Sequence, residues 1–412
     1  VLTEQETQTN TLDLFKPTSG EDFRRKLDQT REDQPIVWND THRAWIVSRY
    51  DDCLTAFAGS FPLSARRLAP DFLFRSVPED ERPHVLPLLT SYVQHWVVNL
   101  DPPEQTRLHR LLARAFSNKV VNVIRPFVRD YIAQVFDSLD TSGEVDFVNE
   151  VAGLVPGFTI GRLFGFDDRQ VDFLPAQSKA IVDALFGYSD RAFVEAGEAA
   201  LRELTDHVMA AIKTRKSEPC DDIISQLLQV SDDQGALTEE EIIASVQVLL
   251  IAGYDTTVNA LSLSMLTLAR QSEDVWNRVM EEGNRSAFVE ELLRSSPLAG
   301  ATTRFAVEDF RWRDQQIKKG DLVMLMIGAA NRDPRVFDSP GAFDLKRTGK
   351  KHLTFAPGIH HCIGSQLARM QIEEVFGELV TRFRGVDGMS GEPDYTTGYR
   401  GLSRLDVTLL PR

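Results

Sequence analysis

The chain has 412 residues, 42% hydrophobic and 26% charged, a composition that excludes disordered, collagenous and coiled-coil chains. A net charge of -15 also excludes a general nucleic-acid binder, which needs a dominant basic patch. Such a length suits one oversized domain or about two to four ordinary ones.

The three cysteines, Cys53, Cys220 and Cys362, lie too far apart for a metal knuckle or a disulfide framework. The first thirty residues form a polar lead-in without the basic start and apolar stretch of a signal segment. No run reaches the roughly 18 apolar residues of a membrane span. The expectation is a cytoplasmic protein that does not engage a membrane.

In chain order, PIVWND and AWIVSRY read as two strands joined by a turn at Asn39-Asp40. From Pro103 the pattern is helical. Leu108, Leu111, Leu112, Ala115 and Phe116 share one face, as do Phe127, Tyr131, Ile132, Val135 and Phe136. Aromatics crowd residues 158–193, including Phe158, Phe164, Phe186, Tyr188 and Phe193, broken by Gly187. They suit either a cavity cover or ordinary core. Lys213 to Pro219 reads as an interhelical loop.

Thr238 followed by Glu241 is a capping box ahead of an apolar run. It predicts a central helix over about 238–269, about 45 Å long at 1.5 Å per residue and buried because it is apolar nearly all round. A charged helix near Phe288 to Arg294 and strands near Thr303 to Val307 and Leu322 to Ile327 follow. Residues 331–361 then form an irregular Pro- and Gly-bearing loop leading to a last helix.

Three segments carry chemistry. In Phe355-Ala356-Pro357-Gly358-Ile359-His360-His361-Cys362-Ile363-Gly364 a loop ends on a cysteine at a helix start, where free amides and the dipole stabilise a thiolate. Cys362 reads as a ligating or reactive thiol, or as a buried free cysteine; Gly358 and Gly364 suit close approach of a flat group. In the central helix, Ala252-Gly253-Tyr254-Asp255-Thr256-Thr257 places poor helix formers mid-span, where hydroxyls returning to the i−4 carbonyls could open the helix or kink its packing. Glu291 and Arg294 stand three apart on one helical face, a pairing that is common on surfaces.

The pattern Phe-x-x-Gly-x-His-x-Cys-x-Gly at 355–364 resembles the haem-binding fingerprint of the cytochrome P450 family. The Asp255-Thr256 stretch and Glu291-x-x-Arg294 resemble its oxygen-activating and structural elements. Weaker likeness extends from Asp101-Pro102-Pro103 through Asn331-Arg332-Asp333-Pro334. The resemblance implies one mainly α domain over 1–412 with small β-sheets, and haem b between the central helix and the cysteine loop.

It implies Cys362 as the axial thiolate to iron, and Asp255 and Thr256 as proton-delivering groups. Ala252 and Gly253 would leave room for O2. His360, Arg304 and His109 would meet propionates, and Phe355 and Gly364 would complete the haem-binding loop. Val248, Ala252, Thr256, Leu298, Gly300, Trp96 and Leu402 would line the substrate pocket, with Leu402 in a turn at its floor. Relatives carry an arginine where this chain has His109, arginine or histidine where it has Gln105, and an arginine where it has Ala342. The Glu291-Arg294 network would therefore draw on Arg347 or Arg332.

The implied activity is hydroxylation or related oxidation of a largely apolar small molecule by O2, in secondary metabolism. Alternatives are a peroxide-driven or rearranging haem-thiolate enzyme and a non-catalytic haem sensor, against which the Asp255-Thr256 pair argues. No dinucleotide fingerprint is present, so electrons would come from a ferredoxin with its reductase. Arg107, Arg110 and Arg114 at helical spacing form either a basic stripe for that donor or a plain solvated face. The expected state is a monomer.

Overall fold

A computed structural model describes residues 20–66, 74, 76–167, 171–186, 190–232, 235–296, 300–349, 351–394 and 401–412. The helices used below are α1 (Gly20–Asp33), α2 (Tyr50–Phe57), α3 (Pro87–Tyr92), α4 (Glu104–Ala115), α5 (Asn118–Ser138) and α6 (Leu154–Phe164). They continue with α7 (Leu174–Phe186), α8 (Arg191–Ser217), α9 (Ile223–Gln229), α10 (Glu239–Leu268), α11 (Glu273–Met280), α12 (Arg285–Ser295) and α13 (Ser365–Arg382).

Helix α10 organises the rest. Its capping box is formed in both directions: Glu241 N–H donates to Thr238 Oγ1 (3.1 Å) and Thr238 N–H to Glu241 Oε2 (2.8 Å). Glu239, Glu240 and Glu241 also place negative charge at the positive end of the dipole. With apolar residues on every side, α10 is covered by α6, α7, α8, α12 and α13. Among the described residues it is the one helix long and apolar enough to cross a membrane, yet 61% of its most apolar stretch is inside the protein. Thr256 Oγ1 donates to Ala252 O and Thr257 Oγ1 to Gly253 O (2.8 Å), but the helix stays continuous across them.

The strands used below are β1 (Ile36–Asn39), β2 (Ala44–Val47), β3 (Leu63–Ser64), β4 (Val145–Asp146), β5 (Thr302–Ala306), β6 (Phe310–Trp312), β7 (Gln315–Ile317), β8 (Leu322–Leu325), β9 (Phe383–Asp394) and β10 (Gly401–Pro411). A mixed sheet runs β1-β2-β8-β5-β3, with β2 and β8 parallel and the other pairs antiparallel. Its register sets Arg304 of β5 opposite Val323 of β8. The β9-β10-β4 sheet packs on α10 through β10, and β6-β7 is a hairpin.

Several expectations change. Residues 20–33 of the lead-in form α1, docked by buried Arg31 through Ala329 O (2.9 Å). Lys213 to Ser217 continue α8 instead of forming a loop. Phe127 is 45% exposed under the Arg162 guanidinium, whereas Tyr131 stacks on Phe158 with centroids 4.0 Å apart. Phe158 and Phe164 therefore join the core, and Phe193 is exposed. Gly187, Tyr188, Leu298 and the Phe186 side chain lie outside what the structure describes.

Candidate active site

The cysteine loop is built by hydrogen bonds from three directions. Cys362 N–H donates to Phe355 O (3.0 Å), closing the segment on itself. From α4, buried Gln105 donates through Nε2 to Ile359 O (2.7 Å), and His109 Nε2 lies 2.7 Å from His361 O. A carbonyl only accepts, so His109 carries its proton on Nε2, and the neutral ring suffices for this bond. From α12, Arg294 donates to Asn331 O (3.0 Å), while the Asn331 side chain accepts from Leu353 N–H (2.7 Å) and donates to Thr354 Oγ1 (3.0 Å).

The glycines act differently from their expected roles. Gly358, at φ 95°, approaches the backbone of α2: a Cβ there would sit 2.1 Å from Phe57 O. It seats the loop on protein, not on a flat ligand. A Cβ on Gly364 would meet nothing within 4 Å, leaving space beside Cys362. Gly253 faces Ile160 of α6 at 3.4 Å and allows two helices to approach, so the open position in α10 is Ala252.

Cys362 lies in a turn three residues ahead of α13, not at its first residue. Its side chain has accessible surface, yet it sits deep in the protein, the combination an interior cavity produces. Burial pushes the thiol up, while the Gly364 amide and Arg369 pull it down without prevailing. A cation bonded to sulfur would favour the thiolate form.

A stretch of α10 is likewise uncovered. Ala252 is exposed and Gly253, Asp255 and Thr256 are half-buried, although Leu250, Ile251, Tyr254 and Thr257 around them are buried. Asn259, one turn on, donates through Nδ2 to Asp255 O (3.1 Å) and reaches Asp255 Oδ2 at 3.4 Å. Arg304 is buried on β5 and donates to Thr303 O (2.7 Å), and His360 is half-buried. Phe355 lies under the Arg369 guanidinium, 4.5 Å from its centroid. A soft sulfur donor, an uncovered helix stretch and nearby basic side chains form a set that fits an iron porphyrin.

Of the proposed wall residues, Gly300 is half-buried and open, whereas Val248, Trp96 and Leu402 are buried. Leu402 belongs to strand β10 and not to a turn. The Trp96 indole N–H points to Gln247 Oε1 at 3.4 Å. Two residues of the basic stripe are engaged within the chain: Arg107 with Glu241 (2.7 Å) and Ala236 O, Arg114 with Ser231 O. Sequence reasoning missed Gln105 as a loop clamp, although its departure from the family pattern was the available signal. Arg369, Glu290 and His352 carried no comparable signal.

The cytochrome P450 family model matches residues 76–398. The chain belongs to the cytochrome P450 family. This P450 is 30% identical over 96% of its length to the polyketide biosynthesis cytochrome P450 PksS of Bacillus subtilis, covering 98% of that protein. It is 32% identical to the vitamin D(3) 25-hydroxylase of Pseudonocardia autotrophica, over 89% of its own length and 88% of that chain. The solved structure of the Bacillus subtilis bacillaene polyketide synthase P450 PksS superposes with a TM-score of 0.83 at 25% identity, over 97% of this chain and 100% of that one. This P450 is accordingly a mainly α, haem b-dependent monooxygenase, an oxidoreductase that uses O2 and externally supplied electrons on a small molecule.

Proposed function

We propose that Cys362 Sγ would ligate the haem iron, that Arg304 and His360 would hold its propionates, and that Phe355 and Gly364 would shape the ligand loop. The observation that carries this reading is the accessible Cys362 side chain at the end of its hydrogen-bonded loop, together with the uncovered Ala252-Thr256 stretch of an otherwise buried helix. When bound, haem supplies the activation of O2.

The chain's own groups manage protons and substrate. Thr256 Oγ1 spends its proton on Ala252 O, so its lone pairs are the part left to orient a donor in the cavity. Asp255, its carboxylate steadied by Asn259, moves the proton. Gln105 and His109 hold the ligand loop from α4, a bond that takes His109 away from the propionate role expected for it.

The substrate is a bulky, largely apolar molecule hydroxylated in secondary metabolism. Its support is likeness to a polyketide-pathway P450 and to a vitamin D(3) hydroxylase. Electrons come from a ferredoxin and its reductase in the cytoplasm. Arg110 and Arg114 are the exposed members of the stripe for such a donor. Reduction under CO tests the ligand: the intact protein should show the red-shifted band of thiolate-ligated haem and Cys362→Ser should lose it. The band surviving in Cys362→Ser would overturn the assignment.

A further inference from the structure

The segment from Leu88 to Trp96, joining α3 to the turns before α4, is fastened at both ends by buried polar groups that the monooxygenase reaction does not require. At its start, Pro87 has no N–H and the capping position Leu86 provides no side-chain acceptor, so the amides of Leu88 and Leu89 need a partner from elsewhere. Glu198 of α8 provides it. Its carboxylate accepts Leu89 N–H at 2.9 Å and Leu88 N–H at 3.1 Å, with Arg202 one turn on at 3.2 Å.

Glu198 is only 4% exposed. Two turns along α8, Thr205 Oγ1 accepts from Gln247 Nε2 (2.8 Å) and donates back to Leu201 O, while Gln247 Oε1 faces the Trp96 indole N–H. Thr205, Gln247 and Trp96 are all buried. Gln247 adjoins Val248 and precedes the open Ala252 by five residues on α10, so this fastening ends beside the proposed substrate cavity.

A buried carboxylate is unfavourable without several donors, and only the docked segment supplies two amides at once. Burial pushes the Glu198 carboxyl up, and the Leu89 and Leu88 amides and Arg202 oppose it. The arrangement is therefore either fully made or fully hydrated, which gives the segment two discrete positions instead of a continuum.

We propose that Glu198 is a positioning residue for substrate binding: it clasps the Leu88–Trp96 segment against α8, and the Thr205-Gln247-Trp96 relay fastens the other end. Substrate passes under this segment when the clasp opens. The inference rests on the expectation from the sequence that Trp96 lines the substrate pocket.

The test uses haem-loaded protein and azole probes of rising size, imidazole and clotrimazole, which bind ferric haem with a visible spectral shift. Stopped-flow association is combined with hydrogen exchange of the segment's amides. Glu198→Ala should speed clotrimazole association by about 10-fold while imidazole changes little, because the fraction of open protein limits only the bulky probe. Exchange should rise within residues 88–96 and not in α13. Glu198→Gln, which keeps one acceptor oxygen, should fall between.

Unchanged exchange at 88–96, or a rise spread evenly over the protein, overturns the clasp. Raised exchange confined to 88–96 with no change in the clotrimazole to imidazole ratio keeps the clasp but removes the segment from the substrate route, and so overturns the proposal at its link to the cavity. A normal thiolate CO band in every variant separates these outcomes from loss of the haem site itself.

Discussion

Arg347 Nε lies 3.1 Å from Glu291 Oε2, taking the place in the Glu291-Arg294 network that Ala342 leaves without a side-chain donor. Ala342 still takes part through its carbonyl, which accepts from Arg294 (3.2 Å) and Arg347 (3.1 Å). Arg332, the other candidate, turns to Asp28 at 3.4 Å. Arg294 holds both Glu291 oxygens at 2.7 Å and is 2% exposed.

The two arginines should therefore differ in consequence. Arg294→Ala leaves Glu291 buried beside one guanidinium and strips donors from Asn331 O and Pro340 O, a loss of about 3–5 kcal/mol. Arg347→Ala should lose about 1–3 kcal/mol, because the bidentate partner remains. Urea midpoints and haem content measure both, with Arg294→Ala expected to yield little haem-loaded protein. Equal midpoints for the two variants would refute the ranking.

Glu290, beside Glu291 in sequence, serves a separate purpose. Burial raises its pKa, but the His352 ring 3.2 Å away and hydrogen bonds from Arg369 outweigh this and bring it from 4.5 to about 2. A carboxyl lowered on folding stabilises the protein above its unfolded value and stops doing so as pH falls through the folded one. The urea midpoint of the native protein should exceed that of Glu290→Gln at pH 6, and the gap should close between pH 4.5 and about 2. A gap that stays constant over this window would show that the charge contributes nothing.

Thr256→Ala removes the cavity-facing oxygen without disturbing the backbone bonds of α10. Haem content and azole spectra should be unchanged, while product formed per NADPH oxidised through a ferredoxin system falls about 100-fold and peroxide or water rises, the low end for a lost proton-transfer group. Undiminished coupling would remove Thr256 from the proton route.

Local chemistry made much of this protein legible from residue order alone. The Thr238-Glu241 capping box marked the start of α10 because its partners are three residues apart. The loop ending at Cys362 announced itself because its Gly and Pro turn residues lie next to one another in the sequence. Helical faces such as Leu108, Leu111, Leu112 and Ala115 followed from a period that burial imposes.

Tertiary structure decided which groups meet across long separations, since periodicity carries no information about partners far along the chain. It chose Arg347 over Arg332 for Glu291, turned Gln105 and His109 toward loop carbonyls, set Gly358 against Phe57, and brought Glu198 to amides 110 residues away. It also formed the parallel β2-β8 pairing, whose register emerges only when two distant strands exchange hydrogen bonds. A spacing of three or four residues predicts a neighbour on a helix; a contact closed by packing depends on every element between its ends.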